Sequence, residues 1–338
     1  MNILITGGVG FIGTNCALHF LEKGHKLTLV DNFSRPGVDE NAKEIMKRFP
    51  AVSILECDIQ DTDKYLEALK QAEVIIHLAG QTAVTTSIKD PQLDFNSNML
   101  GGFTVLEAVR QHNPHAILLY SSTNKVYGDL GHHKLKKNIL DKTYENITTP
   151  NGVNEDERID LISPYGCSKG ALDLYMQDYA RIYGLHTVVF RQSCIYGPFQ
   201  IGVEDQGWVA HFVKQVLFGN SLNIFGDGMQ VRDLLHVQDL IQAYEKAIEN
   251  IETVRGQALN VGGGIRNSYS LIQVLDIIRE ITGKTVDIST HETRQGDQNW
   301  FVSGNKKAKE LLNWKPETDF KEGIKDLINW QKEFYEIV

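Results

Sequence analysis

The sequence predicts an α/β protein, a doubly wound parallel sheet with a smaller, discontinuous C-terminal unit. Three observations carry that expectation. Apolar runs of strand length alternate with amphipathic stretches of helix length, a glycine-rich turn joins the first such pair, and 338 residues exceed one ordinary domain.

The runs at 3–6, 26–31, 52–57, 74–78, 117–121 and 187–191 are rich in Val, Ile and Leu and end in polar or Gly residues, the pattern of strands buried on both faces. Between them, 10–23, 62–70, 102–111 and 168–183 carry helical periodicity, so each strand is expected to return to the sheet through a covering helix. After Cys194 the rhythm loosens. A helical segment at 206–218, an amphipathic one at 237–250 and a strand-like run at 258–261 predict a return to the first sheet before the tail from 269 completes a lid. The expected units are 1–193 with 229–264, and 194–228 with 265–338. The polar insert at 129–162 is long for a connection and reads as a functional or binding segment.

Composition excludes several classes of function. Lys+Arg 34 against Asp+Glu 43 gives a net charge of -9, the opposite of a nucleic-acid footprint. No apolar run approaches the ~20 residues of a membrane span, and the N-terminus lacks a leader pattern, so a cytoplasmic protein without a membrane partner is expected. Cys16, Cys57, Cys167 and Cys194 are scattered and predict neither a disulfide nor a metal site. His132 and His133 beside Lys134, Lys136 and Lys137 have no neighbouring carboxylate in sequence and read as a solvated loop. Trp208, Phe212 and Phe218 recur at helical spacing and read as core.

Gly7, Gly10 and Gly13 lie between the first strand and the first helix, where a backbone without side chains lets a pyrophosphate reach the helix N-terminus. Asp31 ends the second strand, where a carboxylate accepts from an adenosine ribose and repels a 2′-phosphate. That predicts NAD on a Rossmann-type sheet, with NADP left open by Arg35. Asp58, with Ile59, follows the third strand and either borders the adenine or caps the strand.

Tyr165 and Lys169, four residues apart on one helix face, form a proton-transfer pair, because an ammonium favours the phenolate. Bringing a phenol from ~10 to near 7 needs about 4 kcal/mol, within reach of Lys169 plus a nicotinamide cation. Thr123, in Ser121-Ser122-Thr123 at the end of a strand of the same sheet, offers a hydroxyl to hold a substrate oxygen against that phenol.

The glycine turn, Tyr165-x-x-x-Lys169 and Thr123 together resemble the extended short-chain dehydrogenase/reductase superfamily over essentially the whole chain. Val126-Tyr127-Gly128, Tyr196-Gly197-Pro198, Arg232-Asp233 and Arg294-x-Gly296-Asp297 resemble its nucleotide-sugar branch. The resemblance implies that Tyr165 is the base, Lys169 holds the nicotinamide ribose and Thr123 orients the sugar hydroxyl. It also implies cofactor contacts from Phe11, Ile12, Asn32, Ser34, Arg35, Ile59, Leu78, Ala79, Gln81 and Asn98. Arg232 and Arg294 are implied on the diphosphate, and Val84, Asn124, Gln206, Gly207 and Val209 around the sugar nucleotide. Related 4,6-dehydratases carry Asp-Glu after the Thr; here Asn124-Lys125 leaves elimination without an acid–base pair.

The segments 80–87, 121–129, 164–170 and 205–209, with Pro150-Asn151-Gly152, are similar to the CDP-sugar 2-epimerases, which implies inversion at C2 of a CDP-linked sugar. Cys194 departs from the Asn that many relatives place on the sugar nucleotide. A UDP- or GDP-sugar 4-epimerase, a nucleotide-sugar dehydrogenase and a silent NAD-binding scaffold remain as alternatives. By the same resemblance, the helices at 102–111 and 168–183 imply a homodimer or homotetramer.

Overall fold

A computed structural model describes residues 1–294 and 296–337; Gln295 and Val338, both within the expected second unit, lie outside the described residues. Seven strands form one sheet in the order Gln257–Val261, His186–Gln192, Ile117–Thr123, Val74–His77, Asn2–Thr6, Lys26–Asp31, Ser53–Glu56. Every pairing in it is parallel. Successive side chains serve opposite faces: Ile3 and Ile5 pack into one core with Leu29 and Phe190, Leu4 into the other with Leu118 and Tyr120. The sheet is the Rossmann-type doubly wound one that the alternation predicts. Chain order reverses beside Asn2–Thr6, and the crevice of such a sheet opens above the carboxyl ends at that point.

A second set of strands centres on Val231–His236, which pairs parallel with Cys194–Tyr196 and Trp300–Phe301 and antiparallel with Ser268–Ser270. Leu222–Phe225 pairs parallel with Ile288–His291. The helices Trp208–Phe218, Leu271–Thr282 and Phe320–Phe334 share one core there, with Phe212, Ile278 and Ile324 buried in it.

Three local readings change. Val38–Arg48 is a helix that the apolar pattern did not mark, since Val38, Ala42 and Ile45 are its only buried apolar residues. Phe218 is 47% exposed, because Gly219 ends the helix in a left-handed turn and leaves the ring edge-on to Tyr335 at the surface. The insert at 129–162 contributes nothing to the cleft described below. It forms the hairpin Leu135–Asn138/Thr143–Asn146 and then braces the two sets of strands. Val153 bonds Val302 through its N–H, and Glu155 accepts the N–H of Asn260 at 2.6 Å.

Beneath the end of Ile117–Thr123, Arg191 forks onto Asp173 at 2.9 and 3.0 Å and donates to the Tyr127 hydroxyl at 3.0 Å, while Ser122 donates to Asp173 at 2.7 Å. Both ions are nearly sealed from solvent. Removing one partner strands the other in low dielectric, so Arg191→Met is expected to cost about 3–5 kcal/mol, read as a lower urea midpoint. A loss below about 1 kcal/mol would show that Asp173 does not depend on the guanidinium.

Candidate active site

One continuous cleft of about 890 Å³ runs along the carboxyl ends of the main sheet and under the second set of strands. At one end its wall holds Gly7, Gly10, Phe11, Ile12 and Gly13 from the first turn, with Asp31, Asn32, Ser34 and Arg35 from the second strand end. Asp58, Ile59, Leu78, Ala79 and Gln81 complete that end. Asn98 is the exception among the expected cofactor residues. It lies buried below the wall, donating to Asp94 at 3.0 Å, and takes no part in the lining.

A Cβ on Gly13 would collide with the Gly7 carbonyl, so that position must be glycine for the turn to close. A Cβ on Gly10 would meet only the Gly7 carbonyl, at 3.3 Å, and so would occupy the cradle in front of the helix N-terminus. Asp31 accepts the N–H groups of Phe33 at 3.0 Å and Val9 at 3.3 Å; burial raises its carboxyl, and those bonds oppose the rise. Gln81 keeps a buried Oε1 without a partner on the same wall. A cradle without side chains, a ribose-facing carboxylate and a spare acceptor fit a dinucleotide without a 2′-phosphate. Asn15 donates to Phe11 and Pro198 carbonyls at 2.9 Å each, and Asn41 donates to Val9 at 3.2 Å and Phe199 at 3.4 Å. These two amides pin the segment after Tyr196 across the glycine turn.

Mid-cleft, Thr123, Asn124, Tyr165 and Lys169 come together. Tyr165 and Lys169 sit one turn apart on Ser163–Tyr183. Burial pushes the Tyr165 phenol up to about 12, while the Thr123 hydroxyl beside it pulls the other way. Burial also brings Lys169 down to about 8, opposed by the charges of Asp94 and Asp173. Its ammonium lies 4.5 Å from the Tyr120 ring centroid. Asp94, absent from the sequence reading, accepts from Ser168 at 2.5 Å as well as from Asn98.

The far end holds Val84, Gln206, Gly207, Val209, Arg232 and Arg294, so the residues that the resemblance implies for the sugar nucleotide line one wall. Neither arginine stands alone. Arg232 bonds Asp297 at 2.5 Å; Arg294 reaches Glu204 at 3.1 Å and Asp205 at 3.2 Å and lies 3.7 Å from the Phe225 ring centroid. Cys194 lines the same wall and receives the Trp208 indole N–H at 3.5 Å, so Trp208 borders the cleft as well as the core. Asn124 donates to Gln298 at 3.1 Å, and Gln298 to the Gly128 carbonyl at 2.6 Å, so neutral amides rather than carboxylates stand beside Thr123. Sequence reasoning gave no separate role to Lys125, Asp297, Glu204 or Thr85, whose buried hydroxyl has no partner. Asp297 closes the Arg294-x-Gly296-Asp297 pattern and could have been marked from it.

His132 and His133 do meet a carboxylate, Glu157, brought in by the fold at 3.1 and 2.9 Å. The tautomer argues against a metal there. Asn146 accepts the N–H groups of Thr148 and Thr149 through Oδ1, so its amide donates to His133 Nδ1 at 2.9 Å. The His133 proton is therefore on Nε2, committed to Glu157, and not replaceable by an ion.

The chain belongs to the NAD dependent epimerase/dehydratase family, whose model matches residues 3–262, and its cofactor is NAD. It is 41% identical to the CDP-paratose 2-epimerase of Salmonella typhi, over 98% of this chain and 99% of that one. It superposes on the crystal structure of UDP-glucose 4-epimerase with UDP-glucose from Thermotoga maritima with a TM-score of 0.84 and 30% identity, covering 99% and 100% of the two chains. The Thermus thermophilus UDP-glucose 4-epimerase complex with NAD gives 0.82 and 29%, covering 98% of each. The chain is a nucleotide-sugar epimerase.

Lys169 predicts an alkaline signature. An unfolded Lys ionises near 10.5 and the native one at about 8, so between those values the unfolded chain holds a proton that the native chain has released. Raising the pH through that window therefore stabilises the native state, by up to about 1.4 kcal/mol per unit, and Lys169→Met abolishes this part of the gain. Urea titrations of both proteins from pH 8 to 10 measure it; equal slopes would refute a depressed Lys169.

Proposed function

We propose that the chain inverts C2 of a CDP-linked sugar, of the paratose/tyvelose or glucose/mannose type, through a transient 2-keto sugar with NAD retained throughout. Bound NAD supplies a reversible hydride acceptor and a second positive charge. Lowering Tyr165 from about 12 to near 7 requires about 7 kcal/mol, which two cations in a dry cleft are suited to provide. The phenolate accepts the C2 hydroxyl proton and later returns it, while the Thr123 hydroxyl holds the oxygen in line. The flat ketone turns its other face before reduction, and the carbon emerges inverted.

The observation that carries this reading is the make-up of the reacting end. Among the described residues no free carboxylate stands beside Tyr165 there, since Asp297 is held below the usual carboxylate range against its burial by Arg232 and Lys125, and Asn124 and Gln298 are amides. One base suffices to oxidise and reduce a carbinol; removal of water needs a second group. Identity to the Salmonella protein supports C2 and the cytidine handle.

A panel of CDP-, UDP- and GDP-sugars followed by NMR at each ring carbon tests it. Inversion at C2 of CDP-sugars is expected, with at least a hundredfold loss in Tyr165→Phe. Inversion at C4, or NADH accumulating without inversion, would overturn it.

We also propose self-association. Leu93, Phe95, Leu100, Leu174, Tyr175, Ile182 and Tyr183 are exposed on the segment 91–100 and the helix Ser163–Tyr183, and such an apolar set suits a second copy of the chain as a dimer or tetramer. Light scattering is expected to give a multiple of 38.1 kDa that falls to one chain in Leu174→Glu/Tyr175→Glu. A wild-type mass of one chain would end the proposal.

A further inference from the structure

Lys125 has no role in the reaction as derived so far, yet its placement asks for a ligand. It follows Thr123-Asn124 at the end of a central strand, its backbone N–H bonds the Thr123 hydroxyl oxygen at 3.2 Å, and its side chain is 18% exposed on the cleft wall. The ammonium donates to the Gly296 carbonyl at 3.3 Å and lies 3.7 Å from Asp297 Oδ1. That same oxygen takes the Arg232 guanidinium at 2.5 Å. The groups that face Lys125 are Asp297, Arg232 and Cys194, and burial keeps the Cys194 thiol in its neutral form. Two cations thus share one carboxylate in a largely dry pocket. Among the described residues one positive charge is left over, and an ammonium with three donors has a single close acceptor. Burial disfavours that charge, and an anion at the ammonium would hold it in place.

Substrate chemistry says which anion. In a nucleotide sugar the diphosphate hangs on the anomeric carbon; C2 adjoins that carbon, whereas C4 lies across the ring. An enzyme that presents C2 to Tyr165 must hold the sugar-linked phosphate close to Tyr165. One that presents C4 must hold it farther off. Arg294 is stacked on Phe225 at the far wall, but Lys125 is two residues from Thr123, whose hydroxyl faces the phenol. We propose that Lys125 grips the sugar-linked phosphate and that its short reach from Thr123 selects C2 as the reacting carbon. This rests on the C2 reading above and adds the residue that enforces it. It also gives a physical reason for a cation where the dehydratases carry Glu, since a carboxylate would repel that phosphate.

The test separates the two claims. NAD-loaded wild type, Lys125→Met and Lys125→Arg are titrated calorimetrically with CDP and with CMP, which lacks the second phosphate. Loss of the ammonium is expected to weaken CDP about tenfold or more and CMP by less than about twofold, with Lys125→Arg close to wild type. With CDP-glucose, which offers hydroxyls at C2, C3 and C4, Lys125→Met is expected to raise KM and to let oxidation spread from C2 to other carbons. Equal weakening of CDP and CMP, or no weakening of either, overturns the proposal. Should Lys125→Met fail to fold, Lys125→Gln repeats the comparison with a donor kept and the charge removed. If the wild type inverts C4 instead, the C2 reading and the selector role fail together, while the CDP-against-CMP difference still reports on the phosphate grip.

Discussion

A buried ammonium organises the middle of this molecule. Lys169 is 4% exposed, and taking such a charge out of water costs several kcal/mol unless its surroundings answer it. They do so from three elements. Asp94 comes from the segment before the helix 101–112, Asp173 from the next turn of the lysine's own helix, and the Tyr120 ring from the central strand. Each partner is itself anchored, Asp94 by Ser168 and Asn98, Asp173 by Arg191 and Ser122. The Tyr165 phenol is carried by the same helix, so its surroundings are those of the whole buried network and not of a Tyr-Lys pair in isolation.

The far end of the cleft solves the same problem with carboxylates. Arg232 and Arg294 are neutralised by Asp297, Glu204 and Asp205, so neither guanidinium stands unpaired in the cleft. Lys125, sharing Asp297 with Arg232, is where the neutralisation is incomplete.

Much of the fold was legible because strands buried on both faces leave continuous Val/Ile/Leu runs, as at 3–6 and 74–78. That Gly7, Gly10, Gly13 and Asp31 share one end of the cleft was legible because they fall at strand ends, a place the alternation itself marks. Helix Val38–Arg48 was not, since Asn41 on its buried side serves hydrogen bonds to Val9 and Phe199 and breaks the apolar stripe. The pairing of Leu222–Phe225 with Ile288–His291, and of Asp297 with Lys125, joins residues far apart in sequence, and no local pattern records such contacts. Asn98 was marked by the family resemblance alone: its amide nitrogen holds Asp94 beneath the wall, while its buried carbonyl oxygen has no partner among the described residues. Glu157 likewise reaches the histidine pair only through the fold.

The amide bridges from Asn15 to Pro198 and from Asn41 to Phe199 span 183 and 158 positions of chain. A ribosome that has finished the glycine turn has therefore not finished the pocket. The turn's outer wall arrives only when the second half emerges, and the edge strand Gln257–Val261 later still. The pocket is thus built from contacts of high sequence separation, complete only when both halves of the chain have come together.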